Sequence, residues 1–267
     1  MNGSKPPLAV APVLRLRDPA VWTIPLLTGL AFGAVLTSGQ NQAIFLLLNA
    51  IGRDSADLWA HVTILGDTVV ALALCLPLWR RRPDLVWALA IGAVLSTLWV
   101  HGLKPVINID RPPSVLGAAV HVIGPAYTRH SFPSGHSTTA FAVAGLFALG
   151  VRTPLSVTIA LSIAIAAAVS RAVVGVHWPL DLLAGAFGGW LSAVCAIWLS
   201  QRSLAFGLQS WIQAIMGVVL IGCAMALILG YKTPYEALAF QRTIGALCLA
   251  AAAHAWWRDN PISKTRA

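Results

Sequence analysis

Three cations, two histidines and one carboxylate stand in two reaches of this chain at spacings that suit phosphate chemistry. The first reach runs from Lys104 through Arg111 to Pro112 and resumes, after a loop, at Pro133-Ser134-Gly135-His136. The second runs from Ser170-Arg171 to His177-Trp178-Pro179-Leu180-Asp181. Lys104 and Arg111 are seven positions apart, which is one face of a helix two turns on, but Pro105 and Pro112 argue against a continuous helix. With Arg171 they make three cations that few carboxylates can pair. Such a set calls for a polyanion, and the arginine fork bonds two phosphate oxygens at once. Ser134-Gly135-His136 opens an apolar run directly after a proline, so free amides and the positive helix end would face the same anion. Gly135 lets backbone approach closely. His177 and Asp181 are four apart with Pro179 between, where a helix would start. Asp181 would then hold one imidazole nitrogen and leave the other as a nucleophile. Taken singly, each has a plainer use: Lys104 and Arg171 as interfacial charges, a histidine as a satisfied polar group, Asp181 as a helix-dipole partner. Their conjunction at the ends of apolar runs favours a site, because ionisable groups at membrane depth are costly and usually functional.

The elements that must position these residues are membrane spans. Of the 267 residues, 58% are hydrophobic and only 10% charged, and the mean hydropathy is +0.77. A water-soluble globule, a disordered chain and a nucleic-acid binder are all excluded, since none tolerates so few charges with so much apolar surface. About 20 apolar residues cross a bilayer as a helix. Eight runs fit: Val21 to Thr37, Leu58 to Trp79, Leu85 to Leu103, Ser134 to Val151, Thr153 to Ser170, Pro179 to Ser200, Trp211 to Gly230 and Ala237 to Trp257. Asn41 to Ile51 is expected to lie along the surface, and Arg152-Thr153-Pro154 to form a tight turn. The expected fold is an all-α polytopic helix bundle. It comprises an N-terminal segment 1–19, a six-span core 20–203, two additional spans 204–257 and a tail 258–267. Val21 to Thr37 is read as a retained anchor, being long and without a small-residue cleavage site.

Net charge is +9, and the basic residues report direction. With the N-terminus in the cytoplasm, Lys5, Arg15, Arg17, Arg80 to Arg82, Arg152, Arg202, Arg258, Lys264 and Arg266 fall inside. Arg53, Lys104, Arg111, Arg129, Arg171, Lys232 and Arg242 fall outside. The chain crosses twice between the two polar reaches, so both end on the outer side. Trp22, Trp79, Trp99, Trp178, Trp198, Trp211, Trp256 and Trp257 cluster near span ends and are read as interfacial anchors. Cys75, Cys195, Cys223 and Cys248 lie in apolar runs without CxxC spacing and read as buried small hydrophobes.

The three segments KxxxxxxRP, PSGH and SRxxxxxHxxxD, in that order, resemble the motifs of the phosphatidic acid phosphatase type 2 superfamily, which also holds vanadium-dependent haloperoxidases. The resemblance covers roughly Leu58 to Trp198. It implies that Lys104, Arg111 and Arg171 bind phosphate with the Ser134 hydroxyl and Gly135 amide. It implies further that His177 attacks phosphorus, Asp181 orients it and His136 protonates the leaving oxygen, with no metal or other cofactor. The function so implied is hydrolysis of a lipid phosphate: an isoprenyl diphosphate, phosphatidate or phosphatidylglycerol phosphate, or a lipid A-type glycolipid. The expected partners are that substrate and the bilayer, and the expected place is a bacterial inner membrane with the site facing outward. A vanadate-dependent haloperoxidase and a non-catalytic phospholipid-binding or transport protein are the alternatives. Eight apolar runs oppose the first, and two histidines with a carboxylate are superfluous to the second.

His121, Tyr127, Arg129 and His130 precede His136 and either touch a headgroup or serve as ordinary loop residues. Asp67, acidic near a span, either lies at the outer interface supporting the pocket or has a local role. His61, His101 and His254 carry no case beyond packing.

Overall fold

The computed structural model describes residues 11–259, so Lys5, Lys264 and Arg266 fall outside the described residues. Among those residues every regular element is helical. The helices are α1 (Pro19–Ser38), α2 (Asn41–Ile51), α3 (Ala56–Thr63), α4 (Thr68–Leu74), α5 (Pro83–Ile107), α6 (Pro112–Leu116), α7 (Gly135–Gly150), α8 (Pro154–Val173), α9 (Pro179–Arg202), α10 (Leu204–Gly207), α11 (Ser210–Leu229) and α12 (Leu238–Asp259).

Five helices, α1, α5, α8, α9 and α11, are long and apolar enough to cross a bilayer, and α3 with α4 makes a sixth if the bent pair counts as one span. The expected crossings at α7, of 16 residues, and at α12 are not among these. α9 is the hub, packing on α1, α5, α7 and α8. Its partners approach closely because small residues face them. A Cβ added at Gly145 of α7 would come within 2.6 Å of the Ala193 methyl group, and one at Gly189 of α9 within 2.2 Å of the Thr138 carbonyl oxygen. Backbone cannot yield as a side chain can. Gly189→Ala is therefore expected to destabilise the bundle by about 1–3 kcal/mol. It should lower the melting temperature in detergent, whereas Gly33→Ala on α1, with nothing within 4 Å, should not.

Five expectations change. Leu58 to Trp79 is not a straight span: it breaks at Asp67, where its halves meet at 70°. Asp67 caps the second half, accepting from the amides of Val69 at 2.8 Å and Val70 at 3.2 Å. α5, by contrast, runs through Pro105 to Ile107, ending where Asn108 turns left-handed at φ 39°. A proline near a helix end loses little, because few ladder bonds remain there. α2 does not merely lie on the surface; it buries Phe45 and Asn49, and Phe45 packs 5.1 Å from the Trp178 ring. Trp178 is accordingly buried, unlike Trp22, Trp198, Trp211, Trp256 and Trp257, which stay exposed as anchors do. Of the four free cysteines only Cys75 and Cys248 are buried; Cys223 is half-buried and Cys195 exposed. The tight turn forms as expected, with Arg152 left-handed at φ 62° and Thr153 capping α8.

The two ends of the bundle differ in chemistry. At one, Arg82 pairs with Asp84 at 2.9 Å and donates to the Gly150 carbonyl, while Arg152 pairs with Asp18 at 2.9 Å. These cations are neutralised. The other end, reached by the C-termini of α5 and α8 and the N-termini of α7 and α9, collects Lys104, Arg111, Arg171, His136, His177 and Asp181. The 25 residues of α5 alone separate the ends by about 37 Å.

Candidate active site

Pro179 starts α9, which leaves His177 in the preceding connection and puts Asp181 in the first turn, one turn from the ring. His177 Nδ1 lies 3.2 Å from Asp181 Oδ2. A carboxylate only accepts, so the proton sits on Nδ1 and Nε2 keeps its lone pair. Arg111 Nη1, a donor without acceptor capacity, lies 3.3 Å from Nε2 and requires the same tautomer. Both neighbours thus prepare one nitrogen to attack. Asp181 Oδ2 also accepts from the Trp178 amide at 2.8 Å and the Ser131 hydroxyl at 2.5 Å. Ser131 is fully buried and went unnoticed in the sequence, where it precedes the PSGH segment without a spacing of its own.

Arg111 is a fixed device. It follows the end of α5 in extended backbone, ahead of Pro112, and donates to the carbonyls of Arg129 at 2.9 Å, Val176 at 3.1 Å and His130 at 3.4 Å. The loop residues Arg129 and His130 thus contribute carbonyls, while their side chains are exposed. Tyr127 stacks under the guanidinium at 5.1 Å. His121 works through its backbone as well, its amide and carbonyl both bonded to the buried Asn49 of α2.

The second reach joins the first through backbone. The Ser134 amide donates to the Asp181 carbonyl at 3.0 Å, and the His177 amide donates to the Arg171 carbonyl at 3.2 Å. Ser134 caps α7, so Gly135 and His136 occupy the first turn, where amides lack helical partners. Gly66, beside the Asp67 break, abuts His136: an added Cβ would lie 2.9 Å from its Cβ. His136 also lines a cavity of about 170 Å³ with Leu72, Leu89 and Leu146. A second cavity, of about 480 Å³, is lined by Phe32, Ile107, Phe132, Trp178 and Asp181.

Burial holds the His177 imidazole well below its ordinary value of 6.5, and Arg111, Arg171, Lys104 and His136 press it in the same direction. These four groups and Asp181 all act on one ring. Lys104 is the least directly engaged: its carbonyl, not its ammonium, is the atom bonded nearby, accepting from the Asn108 amide. The expected consequence for pH is a neutral, attacking His177 that persists below 6.5 and is lost only as pH falls through the depressed value. Nitrogen-15 NMR of labelled histidine in the solubilised protein checks this, and half-protonation of His177 near 6.5 would contradict it. Among the described residues, no three His, Cys, Asp or Glu side chains are grouped to hold a metal ion.

A family model described as PAP2 superfamily matches residues 84–205, which contain all eight expected site residues. YbjG of Escherichia coli K12, whose name assigns it provisionally to the undecaprenyl-diphosphatases, is 33% identical over 187 residues, covering 64% of this chain and 89% of that protein. The chain belongs to the PAP2 superfamily. A lipid A 1-phosphatase of Rhizobium etli is 44% identical over 140 residues, covering 48% of this chain and 59% of that protein. The crystal structure of LpxE from Aquifex aeolicus superposes with a TM-score of 0.55 at 28% identity, covering 59% of this chain and 94% of that one. This chain is accordingly a multi-span, PAP2-type membrane lipid phosphatase. The PAP2 match ends before α11 and α12.

Proposed function

We propose that this enzyme removes phosphate from a lipid mono- or diphosphate at the outer leaflet of a bacterial inner membrane, through a phosphohistidine. The observation that carries the proposal is His177 Nε2, its lone pair set by Asp181 and its approach flanked by Arg111. A phosphate oxygen is a better acceptor than a neutral imidazole for the Arg111 N–H that faces Nε2, so substrate takes that bond and frees the nitrogen while the carbonyls keep the fork in place. Nε2 then bonds to phosphorus as the bond to the leaving oxygen breaks, and His136 gives that oxygen its proton. Water next attacks the phosphohistidine. His136 takes a proton from it, the N–P bond breaks, and inorganic phosphate leaves. Lys104, Arg111 and Arg171, with the Ser134 hydroxyl and Gly135 amide, balance the charge on the transferring group.

The outward orientation rests on the basic residues at the opposite end, Arg80 to Arg82 and Arg152, by the positive-inside rule, with α7 and α12 completing eight crossings. The apolar cavities beside His136 and Asp181 suit a tail that stays among the spans while its headgroup enters the site. An isoprenyl diphosphate carrier is favoured, since an outward site serves its recycling; a glycolipid 1-phosphate and phosphatidylglycerol phosphate are the other candidates. Phosphate release from a panel of these lipids by the purified enzyme tests the choice. Turnover of none, with headgroup binding retained, would instead support a binding protein.

A further inference from the structure

We infer that Tyr235, in the connection between α11 and α12, is a positioning residue that aims the Arg171 guanidinium at the substrate phosphate. The inference rests on the proposed phosphate site and extends it to helices outside the PAP2 match.

Arg171 is 3% exposed, and among the described residues it has no carboxylate within ion-pair distance. A buried guanidinium must nevertheless satisfy its N–H groups. Nη1 donates to two hydroxyls, Thr63 Oγ1 at 2.6 Å and Tyr235 Oη at 2.7 Å, while Nε, also buried, has no hydrogen-bond partner among the described residues. The Tyr235 ring lies 5.5 Å from the guanidinium carbon. The choice of acceptor matters. A carboxylate in either place would pin the side chain but cancel its charge; two neutral hydroxyls pin it and leave the charge intact. One edge is anchored, and the Nε edge keeps its hydrogen-bonding capacity for an oxyanion.

The connection is built to hold that phenol still. Tyr235 is 6% exposed, and Gly124, left-handed at φ +82°, is packed so tightly on it that a Cβ would fall 2.8 Å from the ring. Gln241, fully buried in α12, receives the Thr233 amide at 3.0 Å and donates to the carbonyls of Leu227 and Tyr231. Tyr231 in turn donates to Asp67 Oδ2 at 2.7 Å. Burial and that bond push the Tyr231 phenol above its ordinary value, so it stays protonated and can only donate to the carboxylate. The two tyrosines divide the labour: one fastens the connection to the α3–α4 bend, and the other reaches Arg171.

The test is Tyr235→Phe in the full-length enzyme, which keeps the ring and removes the hydroxyl. Orthovanadate, a phosphate mimic, is the probe for binding, alongside kinetics on whichever lipid phosphate the wild type hydrolyses. Affinity for vanadate and kcat/KM should each fall about tenfold, the scale of one hydrogen bond to a charged group. In an Arg171→Lys background the same change should do almost nothing further, because the guanidinium it positions is gone. Tyr231→Phe, which removes a bond to Asp67 while Gly124 and Gln241 still hold Tyr235 in place, should leave vanadate affinity within about twofold of wild type. Wild-type affinity in Tyr235→Phe, an equal loss in the Arg171→Lys background, or an equal loss in Tyr231→Phe would each overturn the inference. Failure of the wild type itself to bind vanadate or to release lipid phosphate would instead overturn the phosphate site.

Discussion

Replacing His177 with alanine should lower lipid-phosphate turnover by about 10⁴-fold or more, because the covalent route is lost and the remaining groups can only bind and polarise. The structure makes this substitution specific. His177 donates its backbone amide to the Arg171 carbonyl and its ring to Asp181, so alanine keeps the first contact and deletes the nucleophile. The readout is twofold: phosphate release in detergent, and a base-stable, acid-labile label on the wild-type protein from substrate carrying phosphorus-32. The label should vanish in His177→Ala. Residual turnover within tenfold of wild type would remove the phosphohistidine from the mechanism.

The second large effect belongs to Asp181. Asp181→Asn conserves shape and keeps an oxygen for the Trp178 amide and the Ser131 hydroxyl, both of which now bond Oδ2. The Nδ1 proton bonds that same oxygen, so the imidazole is then held by a neutral acceptor in place of a charged one. The positive charge that develops on the ring as Nε2 bonds to phosphorus loses its counter-charge. We expect kcat to fall by about 10³–10⁴-fold, the scale seen when an orienting carboxylate is neutralised in a catalytic triad. Vanadate affinity should change far less, since Arg111 and Arg171 are untouched. A loss of affinity as large as the loss of kcat would mean that Asp181 shapes the pocket rather than supporting the nucleophile.

The sequence carried the site better than the scaffold. Arg111, His177 and Asp181 were legible because their functions impose spacing: four residues across a helix start, or a cation before a proline. Ser131, Thr63 and Tyr235 were not, because a hydroxyl that accepts or donates one bond needs no neighbours of fixed type. They become visible only once the chain returns on itself. The eight apolar runs located the helices, yet two details escaped. Asp67 was placed near a span with two uses left open. That it breaks the helix follows from its side chain competing for the Val69 and Val70 amides, while Tyr231, 164 positions away, holds its other oxygen. Pro105 invited the opposite error, since its cost depends on how many ladder bonds remain beyond it. The tryptophans near span ends look alike in sequence. What separates Trp178 from the exposed ones is burial, its ring packed 5.1 Å from Phe45.

The bend at Asp67 bears on where this protein can be shortened. Cutting after residue 205 would keep every residue of the family match, yet the Asp67 carboxylate would lose Tyr231 and Arg171 would lose Tyr235. Each orphaned group costs about 1–3 kcal/mol or more when left without a partner in an apolar interior. A minimal version must therefore redesign both positions, or else retain the last two helices as an integral brace.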